Sequence, residues 1–202
     1  MYFSLVDTSF GHIGMVFRDT DSARVVSVFL PRTKQDALRA VKFQYPEAQL
    51  HSPDALGSLP GMFIDYFEGT PMKFPLDVLD LSVCYPFQKE VLKAEWSIPY
   101  GMTAPYNCIA SKIESTAYRA VGNALARNPF PIIIPCHRAI RSDRSLGGFQ
   151  GGLKMKRRIL ELEGVEFDSS NRVKEEFVKN NLDPLRDYFE SPSYFMDFNG
   201  TY

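Results

Sequence analysis

The sequence lacks the features that mark membrane-spanning and disulfide-bonded proteins. No run approaches the roughly 20 consecutive apolar residues that a bilayer-spanning helix needs. The first residues show no basic stretch followed by an apolar one, so we expect no secretory signal. Only three cysteines occur in 202 residues, namely Cys84, Cys108 and Cys136, and no two of them form a Cys-x-x-Cys pair. This scarcity argues against a disulfide framework or a cysteine-based zinc site, and it favours a reducing compartment: the cytoplasm or, in a eukaryote, the nucleus.

An excess of charge of either sign is also lacking, because the net charge is −1. The balance is uneven along the chain, however. Residues 85–170 carry 12 basic and 8 acidic side chains, whereas residues 1–84 carry 7 and 10 and residues 171–202 carry 4 and 6. The central segment is therefore the candidate for contact with a polyanion, although a segment of this charge is more often an ordinary solvated surface.

Residues 1–84 are expected to form a first domain of strands followed by helices. The β-rich runs are Tyr2–Asp7, Met15–Phe17 and Arg24–Phe29. Thr33 is a favoured N-cap residue, and apolar residues follow it at helical spacing until Pro46. A second helix is predicted near Met62–Phe67 and a last strand over Val78–Leu81. Together these elements predict an αβ domain.

Residues 85–169 are expected to form a second, mainly helical domain. Pro86 is well placed as the first residue of a helix. Two short helices, Tyr106–Lys112 and Ala117–Arg127, are predicted on either side of a short turn whose hydroxyl groups can cap the second helix. This arrangement is typical of a helix-turn-helix, although on the pattern alone an ordinary helical hairpin is commoner.

The end of this domain combines an apolar run with a glycine-rich loop. Ile132–Ile134 is predicted to be a short buried strand that leads directly into Pro135–Arg138. The Gly147–Gly152 segment is then a loop before an amphipathic helix, Leu153–Glu163. Gly164 is well suited to end that helix.

Cys136, followed by His137 and Arg138, is the sharpest chemical feature. A cysteine is nucleophilic as its thiolate, which a neighbouring base or positive charge favours, so we expect this pair to favour the thiolate. Adjacent residues of an extended chain point to opposite sides, so contact between the imidazole and the sulfur needs a bridging water or a sharp bend. An imidazole base also needs a group that holds its tautomer, and Glu163 is the candidate. Without its sequence context, Cys136 is more simply explained as a small buried apolar residue than as a nucleophile.

Several segments occur in an order and at spacings that resemble one known family. They are Ile98–Gly101, Tyr106, Tyr118–Ala124, Asn128-Pro129, Ile133–Arg138, Gly147–Phe149, Gly151-Gly152 and Glu163-Gly164. They resemble the O6-alkylguanine-DNA alkyltransferase (methylated-DNA–protein-cysteine methyltransferase) family over about residues 86–165. The resemblance implies an α+β fold, with a ribonuclease-H-like N-terminal domain and a mainly helical C-terminal domain that carries a helix-turn-helix and the reactive cysteine.

The resemblance also implies a role for each residue at a matching position. Cys136 would accept the alkyl group, His137 would deprotonate it through a water, and Glu163 would orient the imidazole. Asn128 would brace the turn before the active site, and Arg119 would enter the minor groove and fill the space of the flipped base. The implied DNA-binding residues are Arg119, Tyr106, Ala120, Gly122 and Arg138, and the implied substrate-pocket residues are Pro135, Tyr106, Phe149 and Gln150. Taken alone, Arg119 could equally be a surface ion-pair residue and Tyr106 a core aromatic.

Some positions depart from the family pattern. Phe149 stands where the family usually has a tyrosine, so a hydroxyl that could stabilise the departing guanine oxygen is missing. Gln150 and Pro105 also differ from the usual residues, and the turn between the two short helices is about one residue short. None of these changes affects the nucleophile. The presence of Cys136 argues against the inactive alkyltransferase-like branch, in which that position is not cysteine.

We expect no cofactor. The expected partner is double-stranded DNA, which the protein is expected to bind as a monomer. His12 and His51 have no cysteine cluster near them, so we expect no metal site. Residues 170–202 extend past the usual end of the family. Their aromatic side chains are Tyr188, Phe189, Tyr194, Phe195, Phe198 and Tyr202. These are too many for a disordered tail, and we expect them to pack on a hydrophobic groove.

The expected function is repair of O6-alkylguanine, and of O4-alkylthymine, by irreversible alkyl transfer to Cys136 after nucleotide flipping. Two alternatives stay open at this stage. One is a thiol hydrolase with a Cys-His-Glu triad, which would turn over. The other is a non-enzymatic helix-turn-helix protein, which would bind DNA with sequence specificity and remove no alkyl group.

Overall fold

The computed structural model of the chain describes residues 1–19 and 22–182. The strands there are β1 (Tyr2–Thr8), β2 (Gly11–Arg18), β3 (Arg24–Arg32), β4 (Gln49–Leu50), β5 (Ala104–Pro105) and β6 (Ala139–Ile140). The α-helices are α1 (Lys34–Gln44), α2 (Leu59–Phe67), α3 (Pro86–Trp96), α4 (Tyr106–Lys112), α5 (Tyr118–Ala126) and α6 (Gly152–Leu162). The expected α+β class is confirmed. No helix among these residues is long and apolar enough to cross a membrane.

The first third of the chain is a sheet covered by two helices. Its strand order is β3-β2-β1-β4, with β1, β2 and β3 antiparallel and β4 parallel to β1. The predicted cap of α1 is confirmed, because Thr33 Oγ1 accepts a hydrogen bond from Asp36 N at 3.2 Å. Helix α1 packs on β2 and β3, and α2 packs on β1. Tyr66 of α2 reaches the second half of the chain, where its hydroxyl lies close to His137 and Glu163.

The strand predicted over Val78–Leu81 is wrong. Only one bridge forms, between Val25 and Leu79, with Val25 N donating to Val78 O and Asp80 N donating to Val25 O. Asp80 Oδ1 then accepts from Ser82 N at 3.0 Å and starts a short 3-10 helix. The side-chain acceptor competes with the ladder and ends the pairing after one residue.

Helices α3, α4 and α5 pack together in the second half. The turn between α4 and α5 spans residues 113–117, with Glu114 at a positive φ of 51°. Ser115 Oγ accepts from Ala117 N inside this turn, and no side chain caps α5. The expectation that the hydroxyls of the turn cap the second helix is therefore wrong.

Ile132–Ile134 is a buried turn, not the strand predicted from its apolar character. Ile132 has a positive φ of 77°, and Ile134 N donates to Phe130 O at 2.9 Å. All three isoleucines are buried. An apolar run predicts burial correctly, but here Asn128 satisfies the backbone groups that a neighbouring strand would otherwise satisfy.

One hydrophobic core joins both halves, and it includes Phe63 of α2 and Leu92 of α3. The segment after α6 returns to Thr103, just before β5, since Thr103 N donates to Phe177 O at 2.7 Å and Lys179 N donates to Thr103 O at 2.8 Å. The six aromatic residues of the C-terminal extension lie outside the described residues. A domain boundary near residues 84–85 and the ribonuclease-H-like assignment of residues 1–84 remain proposals.

Candidate active site

Cys136 lies in a tight turn formed by residues 134–138. Cys136 N donates to Ile134 O at 2.9 Å, and Arg138 N donates to Pro135 O at 2.8 Å. The backbone therefore bends sharply here instead of running extended. Cys136 is only 7% exposed, and Pro135 is buried beside it. A reactive group must enter a pocket to meet this sulfur.

The Cys136 thiol is protonated in the free protein. Burial raises its pKa to about 12, and the charge of Glu95 adds to the rise, while a hydrogen bond from Asn128 and the charge of Lys156 oppose it. We expected the neighbouring His137 and Arg138 to favour the thiolate, and that expectation is wrong for the resting site. Desolvation outweighs the local positive charge.

Glu163 is the centre of a buried hydrogen-bond network. Its Oε1 lies 2.8 Å from His137 Nε2 and accepts from Tyr66 Oη at 2.5 Å. Arg138 donates from Nε to Oε2 at 2.9 Å and from Nη2 to Oε1 at 2.8 Å. Gly101 N donates to Oε2 at 3.3 Å. Five donors converge on one carboxylate, which fixes its position within the core.

The network holds Glu163 ionised and His137 neutral. Burial alone would raise the pKa of Glu163, but the charges and hydrogen bonds of His137 and Arg138 hold it well below its usual range. Burial lowers the pKa of His137, although Glu163 opposes this. An ionised carboxylate can only accept, so the imidazole proton lies on Nε2. The other ring nitrogen, Nδ1, is buried and has no hydrogen-bond partner among the described residues, so it remains available as a base.

Arg138 is buried and contributes to this network. Its Nη1 donates to Ile98 O at 2.7 Å, and its Nε and Nη2 donate to Glu163. The side chain is 7% exposed. The assignment of Arg138 to DNA binding is therefore wrong, and the residue instead neutralises Glu163.

Asn128 and Gln150 fix the backbone around the turn. Asn128 Nδ2 donates to Ile134 O at 2.8 Å and its Oδ1 accepts from Phe130 N at 2.9 Å. Gln150 Nε2 donates to Ala126 O at 3.0 Å and to Asn128 O at 2.9 Å. The loop before α6 is thus tied to the end of α5.

Tyr106 and Phe149 lie beside the Cys136 turn. Burial raises the pKa of Tyr106 to about 12, and the charges of Glu95 and Cys136 add to it. Gly147 has a positive φ of 66°, and a Cβ there would lie 3.0 Å from Tyr106 Oη. Phe149 meets the His137 ring edge-on, with centroids 6.4 Å apart. A side chain at position 147 would be strained by the left-handed backbone and would crowd the phenol.

Lys156 holds the loop that follows Cys136 through hydrogen bonds to its backbone carbonyl groups. Its Nζ donates to Ala139 O at 2.5 Å, to Gly148 O at 3.2 Å and to Leu146 O. Lys156 is fully buried, and burial lowers its pKa to about 8. One ammonium group therefore joins α6 to three separate points of the loop.

Helix α5 presents an open surface. Arg119 is exposed, Ala120 and Gly122 are half-buried, and a Cβ added at Gly122 would meet nothing within 4 Å. Tyr118 is exposed at the beginning of the helix. Small residues beside an exposed arginine permit another macromolecule to approach the helix backbone closely.

The chain matches known proteins in its second half. The family model of the 6-O-methylguanine DNA methyltransferase DNA binding domain matches residues 86–165. The methylated-DNA–protein-cysteine methyltransferase of Methanothermobacter thermautotrophicus is 48% identical over 107 residues, which is 53% of this chain and 58% of that protein. A protein of the same name from Saccharolobus islandicus is 46% identical over 50% of this chain and 64% of its own length. The match thus spans less than two thirds of these curated relatives.

Solved structures extend the likeness to the N-terminal half. The crystal structure of the Mycobacterium tuberculosis O6-methylguanine methyltransferase has a TM-score of 0.64 at 32% identity, and the match covers 80% of this chain and 92% of that chain. The chain belongs to the O6-methylguanine-DNA methyltransferase family. The resemblance drawn from the sequence is confirmed.

This methyltransferase-family chain carries three buried polar residues near the site that the sequence did not reveal. Tyr66 lies within a predicted helix but outside the matched segment, and no local sequence signal indicated that its hydroxyl group would bind at the active site. Lys156 lies among other basic residues of α6, so no local sequence pattern indicated that it is buried. Glu95 lies near the end of α3 and is also fully buried.

Proposed function

We propose that this protein repairs DNA by moving an alkyl group from O6-alkylguanine, and from O4-alkylthymine, to Cys136. The sulfur attacks the alkyl carbon, the bond from that carbon to the base oxygen breaks, and the thiol proton passes to the departing base. The products are S-alkylcysteine and an unmodified base. The arrangement of a buried Cys136 thiol beside a neutral His137 that Glu163 orients supports this proposal most directly.

His137 is proposed to take the thiol proton through an intervening water. Its unpartnered Nδ1 is the basic nitrogen, and Glu163 fixes the tautomer from the other side of the ring. Because the resting thiol has a pKa of about 12, only a small fraction of it is thiolate at neutral pH, and this fraction grows as the pH rises.

Nucleotide flipping follows from the burial of Cys136. A base within the duplex cannot reach a sulfur that is 7% exposed, so the nucleotide must rotate out of the stack. We propose that α5 enters the minor groove, with Ala120 and Gly122 allowing close approach. Arg119 would occupy the vacated position, since a guanidinium can both stack and donate hydrogen bonds.

Tyr106, Pro135, Phe149 and Gln150 are proposed to border the base pocket. Tyr106 keeps its proton at neutral pH and can donate a hydrogen bond to the guanine ring. Phe149 offers an apolar edge and no hydroxyl.

A structure of the Mycobacterium tuberculosis OGT in complex with DNA has a TM-score of 0.67 at 30% identity, and the match covers 92% of that chain. This supports DNA as the partner of the present chain, and we propose that the DNA is double-stranded. We propose binding without sequence preference, as a monomer, in the compartment that holds the DNA: the cytoplasm or, in a eukaryote, the nucleus. The proposed transfer needs no cofactor.

Mass spectrometry after incubation with an oligonucleotide containing O6-methylguanine tests the proposal. We expect a gain of one methyl group on Cys136 that saturates at one per chain. Continued turnover without labelling would point to a thiol hydrolase. Sequence-specific DNA binding without methyl loss would point to a non-enzymatic DNA-binding protein.

A further inference from the structure

Glu95 is a buried carboxyl group with no described hydrogen-bond partner. It lies in the last turn of α3 and is fully buried, and both of its side-chain oxygens lack a partner among the described residues. Buried polar atoms in folded proteins are nearly always paired, since each unpaired one costs about 1–3 kcal/mol. A group retained at this cost calls for an explanation.

The end of α3 is joined to the active site. Glu95 O accepts from Ile98 N at 3.0 Å, and Ile98 O accepts from Arg138 Nη1 at 2.7 Å. The charged groups that act on Glu95 are Lys156 from α6 and Arg138 from the Cys136 turn. The groups that its own charge acts on are Cys136 and Tyr106. Glu95 is thus buried on α3, which packs against α4 and α5, and its charge acts on the nucleophile.

The protonation state of Glu95 changes close to physiological pH. Burial raises its pKa to about 8, although Lys156 and Arg138 oppose the rise. At neutral pH the side chain is therefore mainly a neutral carboxylic acid. Above about pH 8 it becomes a carboxylate, which repels a thiolate at Cys136.

We propose that Glu95 is a positioning residue that limits alkyl transfer on the alkaline side. In its neutral form it leaves the charge of Lys156 free to stabilise the developing thiolate, and in its ionised form it opposes that thiolate. This inference rests on the proposed alkyl transfer. It concerns a residue that acts through Cys136 and does not touch the base.

The proposal predicts the shape of the pH–rate profile. A thiol whose pKa is about 12 gives a thiolate fraction that rises tenfold per pH unit. A like charge nearby changes such a pKa by about one unit or more, which offsets about a tenfold gain. The rate of the unmodified protein should therefore rise, flatten near pH 8 as Glu95 ionises, and rise again.

The test is the rate of alkyl transfer from free benzylated guanine, measured by the mass of Cys136 between about pH 6 and pH 10. Glu95→Gln keeps the size of the side chain but cannot ionise. It should react like the unmodified protein near pH 6.5 and about tenfold faster at pH 9, without the flat region. Glu90→Gln, an exposed change on the same helix, is the matched control and should keep the flat region.

If the pH–rate profile of Glu95→Gln is also flat near pH 8, the flat region results from Lys156, whose pKa is also about 8. That result would overturn the proposal. If that variant does not fold, carbon-13 NMR of glutamate-labelled unmodified protein gives the answer directly. A buried carboxyl that titrates near pH 8 supports the proposal, and titration of every glutamate below about pH 6 overturns it. Absence of any transfer by the unmodified protein would refute the proposed function. The ultraviolet titration of the Cys136 thiolate in both proteins would then still test Glu95.

Discussion

Tyr66 Oη donates a hydrogen bond to Glu163 Oε1 across 2.5 Å and lies 3.2 Å from His137 Nε2. A residue of α2, in the first third of the chain, therefore completes the network on which the proposed base depends. Burial raises the pKa of this phenol well above its usual value, and Glu163 adds to the rise. The hydroxyl thus remains a donor at neutral pH.

Tyr66→Phe removes that donor without removing the ring. We expect the free energy of unfolding to fall by about 1.5–3 kcal/mol, the usual worth of a hydrogen bond to a charged group. Transfer should also slow, because Glu163 is less well fixed. Tyr100→Phe is the control, since the Tyr100 hydroxyl donates to Gly69 O and Leu162 O. Equal rates in the two variants would mean that Tyr66 has no part in the reaction.

Cys136→Ala should abolish alkyl transfer and leave DNA binding nearly unchanged, because the thiol acts only in the chemical step. Mass spectrometry of the protein and a binding titration with duplex DNA measure the two effects. Cys108→Ala, at a half-buried thiol of α4, is the control and should still gain one alkyl group. Transfer that survives in Cys136→Ala would exclude Cys136 as the acceptor.

Arg119→Ala should reduce repair of duplex DNA far more than reaction with free benzylated guanine, which needs no flipping. Unstacking a base step costs a few kcal/mol, so a loss of at least about tenfold on duplex is expected. Arg127→Ala, also exposed near the end of α5, is the matched control. Equal losses on both substrates would place Arg119 in the pocket or in folding instead.

Glu163→Gln should destabilise the fold by about 3–5 kcal/mol at neutral pH, since it leaves the buried Arg138 charge unpaired. The pKa of Glu163 is depressed in the folded protein, so its contribution is fully present above its ordinary value of 4.5 and is lost as the pH falls toward the folded pKa. The difference in Tm between variant and unmodified protein should therefore shrink below about pH 4.5. Thermal melts across this pH range test the expected change in the Tm difference. The exposed Glu161→Gln variant serves for comparison. A difference that is constant down to the lowest accessible pH would contradict the assignment.

The sequence predicted elements with local signals and missed those set by tertiary contacts. Thr33 and Pro46 bound α1 through local backbone chemistry, so both ends of that helix could be predicted. Ile132–Ile134 looked like a strand because an apolar run reports burial and not geometry, and the side chain of Asn128 determined the geometry. Arg138 looked like a surface charge because its partner Glu163 is 25 residues away. The positions of Glu95 and Lys156 depend on how α3 and α6 pack, which no local pattern encodes.

Gly147 and Gly148 are adjacent glycines with very different freedom to change. At Gly147 the left-handed backbone and the nearby Tyr106 hydroxyl both disfavour a side chain, whereas a Cβ at Gly148 would meet nothing within 4 Å. The loop therefore has one site at which mutation strains the backbone and crowds Tyr106 and, beside it, one at which sequence drift has little steric cost. Natural variation and engineered libraries aimed at bulkier adducts should accumulate at position 148 while position 147 stays glycine.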